Sequence, residues 1–237
     1  MSAREEPPNE PYDLRLPAKA AIALLLLSVV VDLVAIVFDL LERGVVEDIL
    51  AGRGDLAAAS ASDARQRIAA VTQLGVLILA AAAFIRWFSR AYRNLLVLGV
   101  ARADLRHRAG WSIGAWFVPI VNLFWPKQIA NDIWRASSPR AEPPAWPMRR
   151  VAPLVHWWWG VWLLASFLQN AAARLSRGSL DRQPTADLLD AAGLALELPA
   201  AVLVVLVIRA VTERQRAALA AGELNPPLTP TLPTAPE

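Results

Sequence analysis

Six polar residues stand inside runs of sequence that are otherwise oily: Asp32, Asp39, Gln73, Gln169, Asn170 and Glu197. A carboxylate in hydrocarbon is costly, so each of these groups must find a partner or water. Two chemistries would satisfy them. They could line a polar pocket and serve as ion ligands or proton carriers, or they could tie helices together by hydrogen bonds, with Arg67 or Arg174 neutralising Asp39. Asp32 and Asp39 are two helical turns apart and so share one face. Counted inward from the outer end of each run, Asp32 and Glu197 both lie about ten residues deep. The expectation is one outward-opening polar pocket with two carboxylates at similar depth. Pro199, two residues past Glu197, would free a backbone carbonyl there and favours a site or a hinge.

Arg86, Arg90 and Arg93 recur at i, i+4 and i+7 and form a basic stripe. Such a stripe beside an apolar run either binds lipid phosphate or anchors the chain at anionic headgroups. Ten tryptophans invite a similar choice. Trp87, Trp111, Trp116, Trp125, Trp134 and Trp157 to Trp159 fall near expected membrane boundaries, where tryptophan belts form, so a ligand cage is the less economical reading. Nucleotide loops, zinc helix pairs and serine elbows are missing from the sequence, and Asp32 and Asp39 share one helix and cannot make a two-helix aspartyl dyad. No enzyme activity is expected. Without cysteine, thiolate chemistry, disulfides and iron–sulfur clusters are excluded, and with only His107 and His156 a multi-histidine metal site is not expected. No cofactor or metal is therefore assigned.

The elements that must position these residues follow from composition. Of 237 residues, 56% are hydrophobic and only 19% charged, with a mean hydropathy of +0.37. That leaves too little polar surface to coat a soluble globule. Four runs are long enough to cross a hydrocarbon core of about 30 Å: residues 20–41, 68–85, 154–173 and 188–208. The helical pattern of the second continues past residue 85 through Trp87, Tyr92 and Leu96. A fifth apolar stretch, 110–126, holds Pro119 and Asn122 and is too short and broken for a crossing, so a re-entrant or interfacial element is expected there. After it, Ile129, Ala130, Ile133, Trp134 and Ser137 recur at helical spacing, predicting a short amphipathic helix with Lys127, Asp132 and Arg135 toward water. Residues 1–17 and 222–237 are proline-rich and read as disordered tails around a helical transmembrane domain at 18–221. The N-terminus does not read as a cleaved signal. The fold class is all-α: four transmembrane helices, a re-entrant or interfacial element over 110–137, and the short amphipathic helix.

Arginine and lysine placement sets the orientation. The ends that precede spans one and three and follow spans two and four carry seventeen positive residues; the opposite ends carry seven, mixed with acidic ones. The first side, with both termini, is expected in the cytoplasm, and positive clusters on both flanks of 110–126 make that stretch enter and leave from the same side. The net charge of +3 is spent on membrane orientation, so nucleic acid is not an expected partner; anionic lipid is.

The residues Trp87-Phe-Ser-Arg-Ala-Tyr-Arg-Asn94, Gly110-Trp111, Gly114, Trp116-Phe117-Val-Pro119, Asn122-Leu123, Pro126 and Trp134-Arg135-Ala-Ser137 resemble the membrane family known as domain of unknown function 4328. The resemblance implies a shared multi-helix membrane architecture, an actinobacterial source, and a characteristic element at 110–137 carrying Trp111, Trp116, Pro119, Asn122, Pro126 and Trp134. It transfers no catalytic residue. The expected role is a non-enzymatic scaffold or sensor of the plasma membrane. The rival is a small transporter or channel subunit that uses the intramembrane carboxylates for a proton or cation, for which four helices would need a homo-oligomer.

Overall fold

The computed structural model describes residues 10–50, 56–138, 145–177 and 182–222, with side-chain detail except at 39–50, 56–60, 62–63 and 183–184. Among the described residues the chain is helical, without strands. In order come α1 (Arg15–Leu50), α2 (Leu56–Val97), a 3-10 turn at Arg102–Asp104, α3 (Trp111–Gly114), a 3-10 turn at Val121–Leu123, α4 (Trp125–Ala136), a 3-10 turn at Trp146–Met148, α5 (Pro153–Leu175) and α6 (Gln183–Ala221). Three helical stretches are long and apolar enough to cross a membrane: Arg15–Phe38, Ala64–Val97 and Thr185–Ala221. α5 is not among them, because four tryptophans, His156, Gln169 and Asn170 dilute its leucine and valine content.

The chain divides into two compact units, Lys19–Phe84 and the remainder on either side of it. In the first unit, α1 turns Leu26, Val30, Leu33, Val34 and Val37 outward, and α2 does the same with Val71, Leu74, Leu77 and Ile78. Apolar side chains on the outside are the inverse of a water-soluble helix pair, and lipid is the solvent that makes such a surface favourable. Ser28 donates to the carbonyl of Leu25 at 2.8 Å and so hides its hydroxyl against its own helix.

The second unit has its core where the C-terminal ends of α2 and α6 meet α4: Trp87, Phe88, Tyr92, Leu95, Leu98, Ile129, Ile133, Ile208 and Val211 are fully or almost fully buried. α5 packs along α6, and Gly193 makes the close approach possible. A Cβ on Gly193 would sit 2.8 Å from Cγ of Gln169 but at an ordinary 3.5 Å from the α5 backbone, so a larger residue there must displace the Gln169 side chain. Pro begins or nearly begins α4, α5 and α6, where its missing N–H leaves no intrahelical bond unmade. Gly222 ends α6 in the left-handed conformation, φ +66°. Of the tail expected over 1–17, residues 10–17 are placed: Leu14 and Pro17 are buried. Residues 1–9 and 223–237 lie outside the described residues.

Candidate functional site

The polar residues of the apolar runs pair within each unit. In the first, Gln73 on α2 donates through Nε2 to Oδ1 of Asp32 on α1 at 3.1 Å. In the second, Gln169 on α5 donates to a carboxylate oxygen of Glu197 on α6. Each carboxylate is thus met by an amide from the neighbouring helix, the partner that best neutralises its desolvation without adding a charge. Asn170 turns away from Gln169 and donates to the carbonyl of Ser166 on its own helix at 2.7 Å, in an exposed position. Asp39 lies outside the residues whose side chains are described. Pro199 sits inside α6 one half-turn beyond Glu197, and the helix continues through it.

A denser polar cluster lies where the ends of α2, α4 and α6 converge. Asn94 of α2 accepts from the backbone N–H of Tyr12 at 2.8 Å and donates to the carbonyl of Tyr12 at 3.0 Å and to Oε1 of Gln215 at 3.1 Å. Gln215 of α6 donates in turn to the carbonyl of Ala91 and to Oγ of Ser137, both at 2.9 Å. Asn94, Gln215 and Ser137 are essentially inaccessible. One amide pair therefore fixes the N-terminal segment, α2, α4 and α6 to one another, with buried donors and acceptors matched. Next to it Trp87 donates to Oγ1 of Thr212 at 3.0 Å. Trp87 is 1% exposed, so it is a core residue and not the headgroup belt residue its position suggested; the hydroxyl of Thr212 gives its indole N–H a partner inside. Trp158 and Trp159 are likewise buried, while Trp157 faces outward.

The basic stripe keeps its helical face, since Trp87, Phe88, Ala91, Leu95 and Leu98 take the opposite one. Of the three, Arg86 is exposed, while Arg90 and Arg93 are half-buried. Arg90 lies over the ring of Tyr12, 5.5 Å from its centroid, and Arg93 has its Nε buried with no hydrogen-bond partner among the described residues. Arg214 of α6 stacks over Trp134 of α4 at 4.2 Å.

The element after α2 folds back on itself. Nε2 of His107 meets Oε1 of Gln128 at 2.8 Å, and the rings of Trp111 and Trp125 stand edge to face at 4.4 Å. The hydroxyl of Tyr92 donates to the carbonyl of His107, and that of Ser112 to Oγ of Ser89. Trp116 lies against Phe88, Trp159 and Trp162, with ring centroids 5.6 to 6.1 Å away. Pro119 is exposed at the tip, Oδ1 of Asn122 is buried without a hydrogen-bond partner among the described residues, and Pro126 is buried in the first turn of α4.

On α4 the buried stripe of Ile129, Ala130, Ile133, Trp134 and Ser137 is as expected, but Asp132 is not on the water side: it is 0% exposed. The 101–110 loop reaches this part of α4, His107 meeting Gln128 and Arg106 meeting Asp132. From that loop, Nε of Arg106 reaches Oδ1 of Asp132 at 3.5 Å, a charge pair without a hydrogen bond. Burial pushes the Asp132 carboxyl up to about 6, against the opposing pull of Arg106 and Arg135. Burial, with Arg135 adding repulsion, lowers Lys127 to about 8; its ammonium donates to Asn131 at 2.7 Å. Arg135 is only partly exposed and donates to the carbonyl of Arg149 at 3.0 Å.

Sequence reasoning missed Tyr12, Asn94, Gln215 and Asp132 as structural centres. Their signal was present: Asn94 interrupts the apolar row Ala91, Leu95, Leu98, and Gln215 the row Ile208, Val211, Ala218. A polar residue on an otherwise apolar helical stripe must find a partner in the core. No match is found among curated proteins, nor among solved structures. Residues 52–213 match the family model of the domain of unknown function DUF4328, in agreement with the motifs of residues 87–137, and the chain belongs to that family.

Proposed function

We propose that the chain is a four-span protein of the plasma membrane, with both termini cytoplasmic, that acts without catalysis as a scaffold or sensor through a rigid cap on its cytoplasmic side. The observation that carries this reading is the Asn94–Gln215 pair, which binds the N-terminal segment, α2, α4 and α6 into one geometry. A surface held this way presents its arginines in fixed positions, the property a docking platform needs. α5 is the fourth span: its 23 residues cover about 35 Å at about 1.5 Å each, and Trp157, Leu164 and Phe167 face outward as lipid contacts. The two ends of the 110–126 stretch, tied by His107–Gln128, belong on one side, which makes it re-entrant or interfacial.

The sequence has no cysteine, so single cysteines introduced at 55, 103, 180 and 217 read topology without background. An impermeant maleimide applied to intact cells labels 55 and 180 and spares 103 and 217. Labelling of all four from one side overturns the four-span reading.

Pro199 beside Glu197 favours a second reading, a small transporter that moves a proton or cation in a homo-oligomer. Flux in proteoliposomes that is abolished by Glu197→Gln supports transport; equal leak with and without the substitution removes it.

A further inference from the structure

The stretch from Trp111 to Phe124 is built inside out for a loop in water. Its inner side holds Ser112 and Ala115, both fully buried, with Ser112 bonded to Ser89, and Trp116, packed on Phe88 and α5. Its outer side is oily. Ile113, Phe117, Val118, Ile120 and Phe124 are all exposed, Phe117 to 72% and Ile120 to 75%. Single exposed apolar residues need no explanation, but five within twelve positions do.

Three observations identify what covers them. The ends of the stretch are held together by Trp111 against Trp125 and His107 against Gln128, so it goes out and returns at one level. Trp116 packs on Trp159 and Trp162 of α5, which lie five and eight residues beyond Leu154. At about 1.5 Å per residue this sets Trp116 roughly 8 to 12 Å along α5 from its cytoplasmic start. Finally, Arg102, Arg106 and Arg108 precede the stretch and Lys127 follows it, the charge flanks of a segment bordered by anionic headgroups.

We propose that Trp111–Phe124 is a hairpin wedge that dips into the cytoplasmic leaflet and beds Ile113, Phe117, Val118, Ile120 and Phe124 among lipid acyl chains without crossing. The inference rests on the four-span reading and adds a lipid-binding surface to it. The wedge occupies one leaflet only, displacing lipid on the side where the cap lies.

Nitroxide labels on single cysteines test it in vesicles of phosphatidylethanolamine and phosphatidylglycerol. Positions 117 and 120 carry the probe; Leu33 serves as the lipid-facing reference and Ala103 as the exposed reference. The expected result at 117 and 120 is collision with oxygen over a water-soluble nickel chelate at a ratio several-fold above that at 103 and close to that at 33. Nickel access at 117 and 120 equal to that at 103, with oxygen access retained at 33, overturns the wedge and leaves the membrane reading standing. Nickel access at 33 as well overturns both. Protection of 117 and 120 from both reagents shows a protein cover, such as a second copy, and also overturns the wedge.

Discussion

Asn94 holds Tyr12 by both faces of its peptide unit, accepting from the N–H at 2.8 Å and donating to the carbonyl at 3.0 Å across 82 residues of sequence. The side-chain amide acts as a strand would, closing a two-bond ring on a segment that has no strand to pair with. Asn94→Ala removes these bonds and leaves Gln215 without its donor, a loss of about 3 kcal/mol at roughly 1 kcal/mol for each bond. A lower midpoint of thermal unfolding in detergent, with earlier proteolytic release of the N-terminal segment, is the expected outcome. An unchanged cleavage rate would show that the segment is held by Leu14 and Pro17 alone.

Gly193→Ala places a methyl 2.8 Å from Cγ of Gln169, so the Gln169 side chain must shift from its place against Glu197. Overpacking of this kind costs about 1–3 kcal/mol. Gln169→Ala relieves the clash while losing the bond to Glu197, so the double variant is less destabilised than the sum of the two single ones. Additive midpoint shifts would mean that the Gln169 side chain does not lie against Gly193.

Asp32 and Gln73 give the corresponding test on α1 and α2. Gln73→Leu strands the carboxylate and destabilises by about 1–2 kcal/mol; in Asp32→Asn the same substitution has a smaller effect. Coupling of zero in the cycle would place the Asp32 carboxylate in water.

Asp132 makes stability depend on pH. Its carboxyl holds a proton more tightly folded, near pH 6, than unfolded, near 3.8. The stabilisation is therefore complete below about pH 4 and is lost as pH rises through about 6. Relative to Asp132→Asn, the wild-type protein loses about 3 kcal/mol between those limits, at roughly 1.4 kcal/mol per unit. Unfolding midpoints of the two proteins, measured in micelles across this range, should diverge as pH increases. Parallel curves would refute the assignment.

The long helices were legible because oily runs of about twenty residues have few other fates, and three of the four expected runs stand as helices long and apolar enough to cross a membrane; the break over 110–126 was legible because Pro119 stops a long helix there. The buried face of α4 was legible only in part. Periodicity found Ile129 and Ile133 but put Asp132 in water, since a helical wheel sees one helix and not the surroundings that bury Asp132, nor the Arg106 that reaches it. The pairing of Asp32 with Gln73 and of Glu197 with Gln169 was likewise beyond depth counting, which gives height along a helix but not which neighbour a side chain turns toward.

The bond from Asn94 to Gln215 spans 121 positions, and Gln215 belongs to α6, the last helix among the described residues. A ribosome delivers Tyr12 and Asn94 long before their third member exists. Until α6 is translated, the two early residues hold an amide whose further acceptor, Oε1 of Gln215, is still to come, so this latch closes only after α6 has been made.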